Sequence, residues 1–310
     1  MATSTVYRSC PTCEASCGLK LEVDVEAKQV LSIKGDEQDP RSKGYVCAKS
    51  QAFAHIYEDG ERLRRPVKKT NDGWQEISWE EALDEVGERL KGIRDQYGKD
   101  AIAYYYGNPN GHNFHSQMYT ELFINMMDSE RFFSAGSVDQ QPKNLVCEIL
   151  YGNAWLIPVP DLARADYLVC MGGNPLVSQG SLLGAPDVGR QFTELQARGG
   201  KIVVLDPRRT ETANQADEHF FIRPGTDAFL LLAWVNELFA RNKVNLAHLD
   251  VLVDGVDEIK QVVAPYTPDS VASITGVTGD DIRRLVEEFD AADNSVLYGR
   301  IGLCTQEFGT

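Results

Sequence analysis

Cys10, Cys13 and Cys17 fall within CPTCEASC, and Cys47 follows in GYVCAKS, so the chain carries the spacing C-x2-C-x3-C-x29-C. Four thiolates are what a cubane iron–sulfur cluster requires, and a tight loop supplying three corners with a distant return supplying the fourth is a common enclosure. Zinc is the competing occupant. Structural zinc sites of four cysteines more often pair two C-x2-C knuckles, and the second knuckle is absent here. Four unrelated buried cysteines form the third and weakest reading. Gly18 and Gly44 flank the ligands, where backbone passing close to sulfide favours a missing side chain. Lys49, two residues past Cys47, is either a solvated lysine or a positive charge set between the cluster and an anionic neighbour.

A second chemistry lies farther along. The apolar runs DYLVCM (166–171) and KIVVL (201–205) lead into GGNPLVSQGS and DPRRTETANQAD. Loops at the carboxyl ends of parallel strands converge on one edge, where ligands bind. Gly172 and Gly173 allow backbone to approach a pyrophosphate, and Asn174, Pro175 and Ser178 complete that loop. In the second loop Asp206 accepts from a ribose hydroxyl or a guanine N–H, while Arg208 and Arg209, followed by Thr210, fork onto phosphate. RPGTD adds Gly225, Thr226 and Asp227 immediately before a helix start. Each segment alone is also an ordinary turn or cap; together they read as a phosphate-bearing nucleotide site. Neither G-x-G-x-x-G nor G-x4-GK[ST] occurs, which argues against an ordinary NAD-binding unit and a P-loop ATPase.

The elements that must position these residues follow from periodicity. Residues 18–35 alternate apolar and polar and predict a hairpin beside the cysteines. Ser78 with Glu81 is a capping box for a helix running to about Tyr97. Short apolar runs then alternate with helical ones, the signature of a parallel sheet covered by helices. The predicted strands are 101–106, 166–171, 201–205 and 295–298, and the predicted helices 115–127, 187–198, 227–241 and 281–290. Of 310 residues 43% are apolar, enough to fill two or three domains, and the formal charge of −15 disfavours nucleic acid as a partner. No apolar run approaches the roughly 18 residues of a membrane span, and MATSTVYRSC has no signal-peptide core. The expected address is therefore the reducing cytoplasm, where clustered cysteines bind metal before they form disulfides.

CPTCEASCG with GYVCAKS, then GGNPLVS, then VVLDPRRTETANQADEHFFIRPGTDAFLLL, then TPDSVASITGVTGDDIRRL and YGRIGLCTQEFG resemble, in this order, the molybdopterin oxidoreductase family of formate dehydrogenases, periplasmic-type nitrate reductases and dimethyl sulfoxide reductase. The resemblance implies a [4Fe–4S] cluster beside a molybdenum or tungsten ion held by two molybdopterin guanine dinucleotides. It implies an α/β fold of the dimethyl sulfoxide reductase type, truncated before the C-terminal half: a small β-rich iron–sulfur domain at about 1–65, the first part of an α/β domain at about 66–135, and a doubly wound dinucleotide-binding domain at about 136–310. Relatives commonly add one protein ligand to the metal from the loop before the GGNP strand. Asp139, about a dozen residues before Gly152-Asn153, is the expected ligand, and Cys147 is the alternative. A thiolate suits molybdenum, but Cys147 falls in the helical-looking run NLVCEILYG, where cysteine is more often a core residue. Cys170 and Cys304 read as apolar fillers.

Gln140 stands where formate dehydrogenases carry a histidine, and glutamine accepts no proton near neutrality. His112 and His115, in a loop after a strand, are the remaining candidates to face substrate. The implied activity is formate dehydrogenase-like or oxyanion reductase-like. Electrons would pass between a small substrate and the metal, then through the pterin and past Lys49 to the cluster, and on to an electron-carrier protein or redox subunit. The alternatives are a non-redox hydratase or transhydroxylase of the same family, and a zinc-stabilised binding module without catalysis.

Overall fold

The computed structural model describes residues 2–180 and 182–310. The chain divides into two compact units, the first ending at Ala135 and the second beginning at Gly136.

The first unit opens with a three-stranded antiparallel sheet of β1 (Thr3–Ser9), β2 (Gly18–Asp24) and β3 (Gln29–Gly35), in that order. The predicted hairpin is β2 and β3, turned by Asp24, whose carboxylate accepts from the amides of Glu26 and Ala27 at 3.0 and 2.9 Å. β1 carries no apolar alternation; it is a strand because β2 pairs with it from Thr3↔Asp24 to Ser9↔Gly18. Two short helices follow, α1 (Ala48–Gln51) and α2 (Phe53–Glu58), then the hairpin β4 (Val67–Thr70) and β5 (Gly73–Glu76). α3 (Trp79–Tyr97) starts as predicted, with the Ser78 hydroxyl accepting from Glu81 N, and stops at Gly98, whose φ of 86° ends the helix.

After α3 come β6 (Tyr104–Tyr105), α4 (Phe114–Met127) and β7 (Phe132–Phe133). The predicted strand 101–106 is thus corrected to two residues. Lys99–Ala101 form a 3-10 turn, and β7 offers only two partners to pair with.

The second unit runs α5 (Gln141–Tyr151), β8 (Tyr167–Met171), α6 (Pro175–Ser178), α7 (Val188–Ala197), β9 (Lys201–Leu205), α8 (Glu211–Gln215) and β10 (Glu218–Phe220). It continues with α9 (Asp227–Ala240), α10 (Val256–Val263), α11 (Pro268–Thr275), α12 (Gly279–Ala291), β11 (Ser295–Gly299) and α13 (Ile301–Cys304). The sheet is wholly parallel in the order β10-β9-β8-β11. Alternation along the strands divides the core in two. Tyr167, Val169, Met171, Val203 and Leu205 face α9, α11 and α12, while Leu168, Cys170, Ile202 and Val204 face α7. This is the doubly wound fold implied by the sequence.

From β8 the chain winds outward through β9 to β10 and then returns to place β11 on the other side of β8. The order reverses between β8 and β11, the position at whose carboxyl edge open α/β sheets take their ligands. Among the described residues no helix is long and apolar enough to cross a membrane.

Candidate functional site

Three of the four clustered cysteines occupy the turn of a hairpin. β1 ends at Ser9 and β2 begins at Gly18, so residues 10–17 form the connection, closed by Cys10 N donating to Cys17 O at 2.8 Å. Within it Ser16 N donates to Cys13 O at 3.1 Å. The return carrying Cys47 is tied down by Asp39, whose Oδ1 accepts from Ser42 N and Ser42 Oγ at 2.6 and 2.9 Å, while Ser42 Oγ accepts from Gly18 N at 3.1 Å. These bonds hold the Asp39 carboxyl below its ordinary value, led by the one from the Ser42 amide.

Gly18 and Gly35 lie where two stretches of the chain pass close together, and Gly44 turns the chain at a φ of 87°. A side chain on Gly18 would meet Asp39 Cβ at 2.5 Å, and one on Gly35 would meet Gly44 O at 2.0 Å. The missing side chains let the return loop lie on the hairpin, so they serve the protein's own packing.

Cys10 and Cys17 are buried, Cys13 and Cys47 half-buried. Burial, and then the charges of the other three cysteines, push the Cys17 thiol up to about 11; burial also raises Cys13. Bare thiolates packed this closely repel one another, and a cationic iron core relieves that cost. Among the described residues no three His, Cys, Asp or Glu side chains are grouped to hold a single metal ion. A lone zinc draws its thiolates to one point at about 2.3 Å, whereas a cubane receives each on a different iron. Four cysteine thiols on a turn and its return loop are a donor set that a cluster can take, one on each iron. Sequence reasoning passed over Ser50, in α1 and 1% exposed, whose Oγ lies 3.0 Å from Cys10 Sγ and 3.9 Å from Cys47 Sγ. Its only signal was its place three residues after Cys47.

In the second unit the predicted loops meet at the sheet's carboxyl edge. Asn174 joins two of them: its Oδ1 accepts from Thr212 Oγ1 and Thr212 N at 2.7 and 3.2 Å, and its Nδ2 donates to Glu211 Oε2 at 2.7 Å. Pro175 is buried at the start of α6, and Ser178 ends that helix. At the switch point a side chain on Gly172 would lie 2.8 Å from Gly302 Cα. Gly172 N donates to Leu205 O and Gly302 N donates to Gly172 O, so this glycine joins the ends of β8 and β9 to α13.

Thr210 is likewise committed. Buried at the start of α8, its hydroxyl accepts from Ala213 N at 3.0 Å. Asp206 Oδ1 accepts from Arg208 N at 2.8 Å. The guanidinium groups of Arg208 and Arg209 are exposed, on Glu211 Oε2 at 3.3 Å and Asn214 Oδ1 at 3.0 Å. Gly225 and Thr226 form an open turn, and the Thr226 hydroxyl donates to Arg223 O. Asp227 is 6% exposed and accepts from Gln306 Nε2 at 2.9 Å; burial, with Asp206 nearby, raises its carboxyl. Gln306 Oε1 is buried without a hydrogen-bond partner. No motif signals Gln306, since only the turn after β11 brings it to Asp227.

Asp139 and Cys147 separate. The Asp139 carboxylate forms an ion pair with Arg300, Oδ1 to Nη1 at 2.5 Å. Arg300 directly follows β11, and its amide is held by Met171 O at 3.1 Å. Cys147 is 3% exposed in α5, as its helical context predicts. Between them Lys143 donates to Gly299 O at 2.6 Å and lies over the Tyr298 ring; burial lowers its ammonium. Burial pushes the Cys170 thiol up to about 12, so it is the inert filler expected.

Of the two histidines, His112 lies in the expected loop and His115 does not. His115 lies inside α4 and is exposed, not in a loop. His112 turns to the cysteine loop, with Nε2 buried, lacking a hydrogen-bond partner and 3.7 Å from Glu14 Oε1. Lys49 is exposed in α1.

Residues 3–58 match the molybdopterin oxidoreductase Fe4S4 domain, and residues 62–277 match the molybdopterin oxidoreductase model. F420-dependent formate dehydrogenase 2 subunit alpha of Methanococcus maripaludis is 26% identical over 98% of this chain and 43% of its own length. Formate dehydrogenase H of Escherichia coli is 28% identical over 96% of this chain and 41% of its own. The solved acetylene hydratase from Pelobacter acetylenicus superposes with a TM-score of 0.82 at 24% identity, over 98% of this chain and 41% of that one. The chain thus spans about two fifths of the length of the relatives it matches. Its cysteine hairpin and strands β8 to β10 lie within the matched residues, and the chain belongs to the molybdopterin oxidoreductase family.

Proposed function

We propose that this protein is the cofactor-bearing part of a molybdenum or tungsten oxidoreductase that moves electrons between a small substrate and an external carrier protein or redox subunit. In this reading residues 1–65 hold a [4Fe–4S] cluster on Cys10, Cys13, Cys17 and Cys47, residues 66–135 begin an α/β domain, and residues 136–310 bind the guanine dinucleotides. When bound, the metal–pterin group supplies two-electron exchange with substrate and the cluster supplies one-electron transfer.

The chain's own residues do the holding. Asn174, through Thr212 and Glu211, locks the loops after β8 and β9 into one rigid edge. Asp206 and Asp227 offer carboxylates to nucleoside hydroxyl and N–H donors, and exposed Arg208 and Arg209 are placed to turn from Glu211 and Asn214 onto phosphate. The backbone at Gly172, Ser178, Gly225 and Thr226 shapes that edge. Asp139 is the protein ligand to the metal, with Arg300 engaging one of its two oxygens; Cys147, sealed inside α5, is poorly presented for that role. Gln140 provides no proton acceptor, so the substrate's proton must go elsewhere. The reading carries with it a reducing compartment, in which free thiols remain available to iron.

The observation that carries this proposal is the close set of four cysteines on the β1–β2 turn and its return loop. Cys13→Ser and Cys47→Ser are expected to abolish bound iron and the brown colour of anaerobically purified protein. Unchanged iron, or zinc in place of iron in the parent, would sink it. A second reading, a hydratase using the metal as Lewis acid, is supported by a relative named acetylene hydratase that is 27% identical over 90% of this chain. Turnover without any electron acceptor would select it.

A further inference from the structure

Two hydroxyl groups stand against the clustered sulfurs. Ser50 is 1% exposed, and its amide donates to Cys47 O at 3.1 Å, which fixes it relative to the fourth ligand. Its Oγ lies 3.0 Å from Cys10 Sγ and 3.9 Å from Cys47 Sγ, so one hydroxyl reaches the hairpin turn and the return loop together. Thr12 Oγ1 lies 3.2 Å from Cys10 Sγ on a more open side. Between a thiol and a hydroxyl either can donate, but a thiolate only accepts. Once the cysteines bind iron as thiolates, the hydroxyls become the donors.

We propose that Ser50, assisted by Thr12, sets the reduction potential of the iron–sulfur cluster by donating hydrogen bonds to its ligand sulfurs. This rests on the reading of the four cysteines as cluster ligands. Reduction adds one electron, and part of the added charge resides on sulfur. A fixed donor at that sulfur stabilises the reduced form more than the oxidised one and so raises the potential. Burial strengthens the effect at Ser50, because no water replaces the hydroxyl there, whereas Thr12 is screened by solvent. The carrier that this cluster serves is then matched by a residue outside the ligand set.

The test is an anaerobic, EPR-monitored redox titration of the metal-loaded protein expressed from its complete gene, with iron measured on the same samples. Ser50→Ala is expected to keep its iron and to be harder to reduce by about tenfold in equilibrium constant, a shift of about 59 mV to more negative potential for a one-electron couple. Thr12→Val is expected to shift the same way by less. Full iron with the parental potential in Ser50→Ala overturns the proposal. If Ser50→Ala loses its cluster, Thr12→Val decides: a negative shift supports the proposal, and an unchanged potential overturns it. A parent protein that holds no iron would instead overturn the cysteine reading.

Discussion

α3 and α12 are built from the same local rules and end in opposite situations. Each opens on a hydroxyl cap, Ser78 accepting from Glu81 N and Thr278 from Asp281 N, and each carries apolar residues at helical spacing. In α12 the stripe is sealed against the parallel sheet, with Ile282, Leu285 and Val286 all 0% exposed. In α3 no residue is buried, and Leu83 remains 66% exposed. α4 repeats the pattern of α3, with Phe114, Tyr119 and Met126 open to solvent. A cap and a period suffice to make a helix, whereas burial requires a surface of matching shape, which α12 finds in β8 and β9.

The sharpest way to break this contrast is truncation at equivalent positions. Leu285→Ala is expected to cost about 2–5 kcal/mol, as for other fully buried leucines, and Leu83→Ala to stay within about 0.5 kcal/mol, as exposed sites do. Urea unfolding followed by circular dichroism measures both, and equal losses would mean that α3 is as tightly packed as α12.

Smaller and more alike should be the two caps. Ser78→Ala and Thr278→Ala are each expected to cost about 1 kcal/mol, read as faster amide exchange in the first turn of each helix. A silent Ser78→Ala would show that α3 is not held by its own cap.

The smallest effect is electrostatic and belongs to the second unit. Burial raises Glu218 and Glu288, but the hydrogen bonds from Arg284 and Lys201 to Glu218, and from Lys201 and Tyr167 to Glu288, hold both below their ordinary value of 4.5 on balance. Their contribution is complete above about pH 4.5 and is lost as pH falls through the lower folded values. Arg284 is 39% exposed, so solvent reduces the worth of its pairs. Arg284→Met should cost about 1 kcal/mol or less near neutrality, and the gap from the parent should close in acid. Melting temperatures across about pH 3–7 check this, and a gap that widens in acid would refute it.

Legibility followed the same divide. β8 and β9 were readable because strands buried on both faces are continuous apolar runs, β11 from its short run 296–298 although Leu297 is exposed, and the helices covering them showed their period. β10 was not, since Glu-His-Phe carries no run and exists by pairing three residues with β9. β1, all polar outside Val6 and Tyr7, likewise exists by pairing. The cysteine set was legible from spacing, yet Ser50 was not. Nothing in CAKS indicates that its hydroxyl returns to Cys10, 40 residues earlier in the chain; only the fold of the return loop brings the two within 3.0 Å.

Residue type and spacing alone set which groups are on offer: four closely spaced thiols, glycine and acidic loops after apolar strands, and the hydroxyl caps that start α3 and α12. How those groups are spent was left to the folded chain. It gave Gly18 to the approach of the Asp39 side chain, Gly172 to a backbone crossing, Thr210 to a cap, Asp139 to Arg300, and Ser50 to two sulfurs. The physical reason is range. Periodicity and capping act within a turn or two of chain, whereas a close approach or an ion pair across 161 residues forms only after the strands have paired.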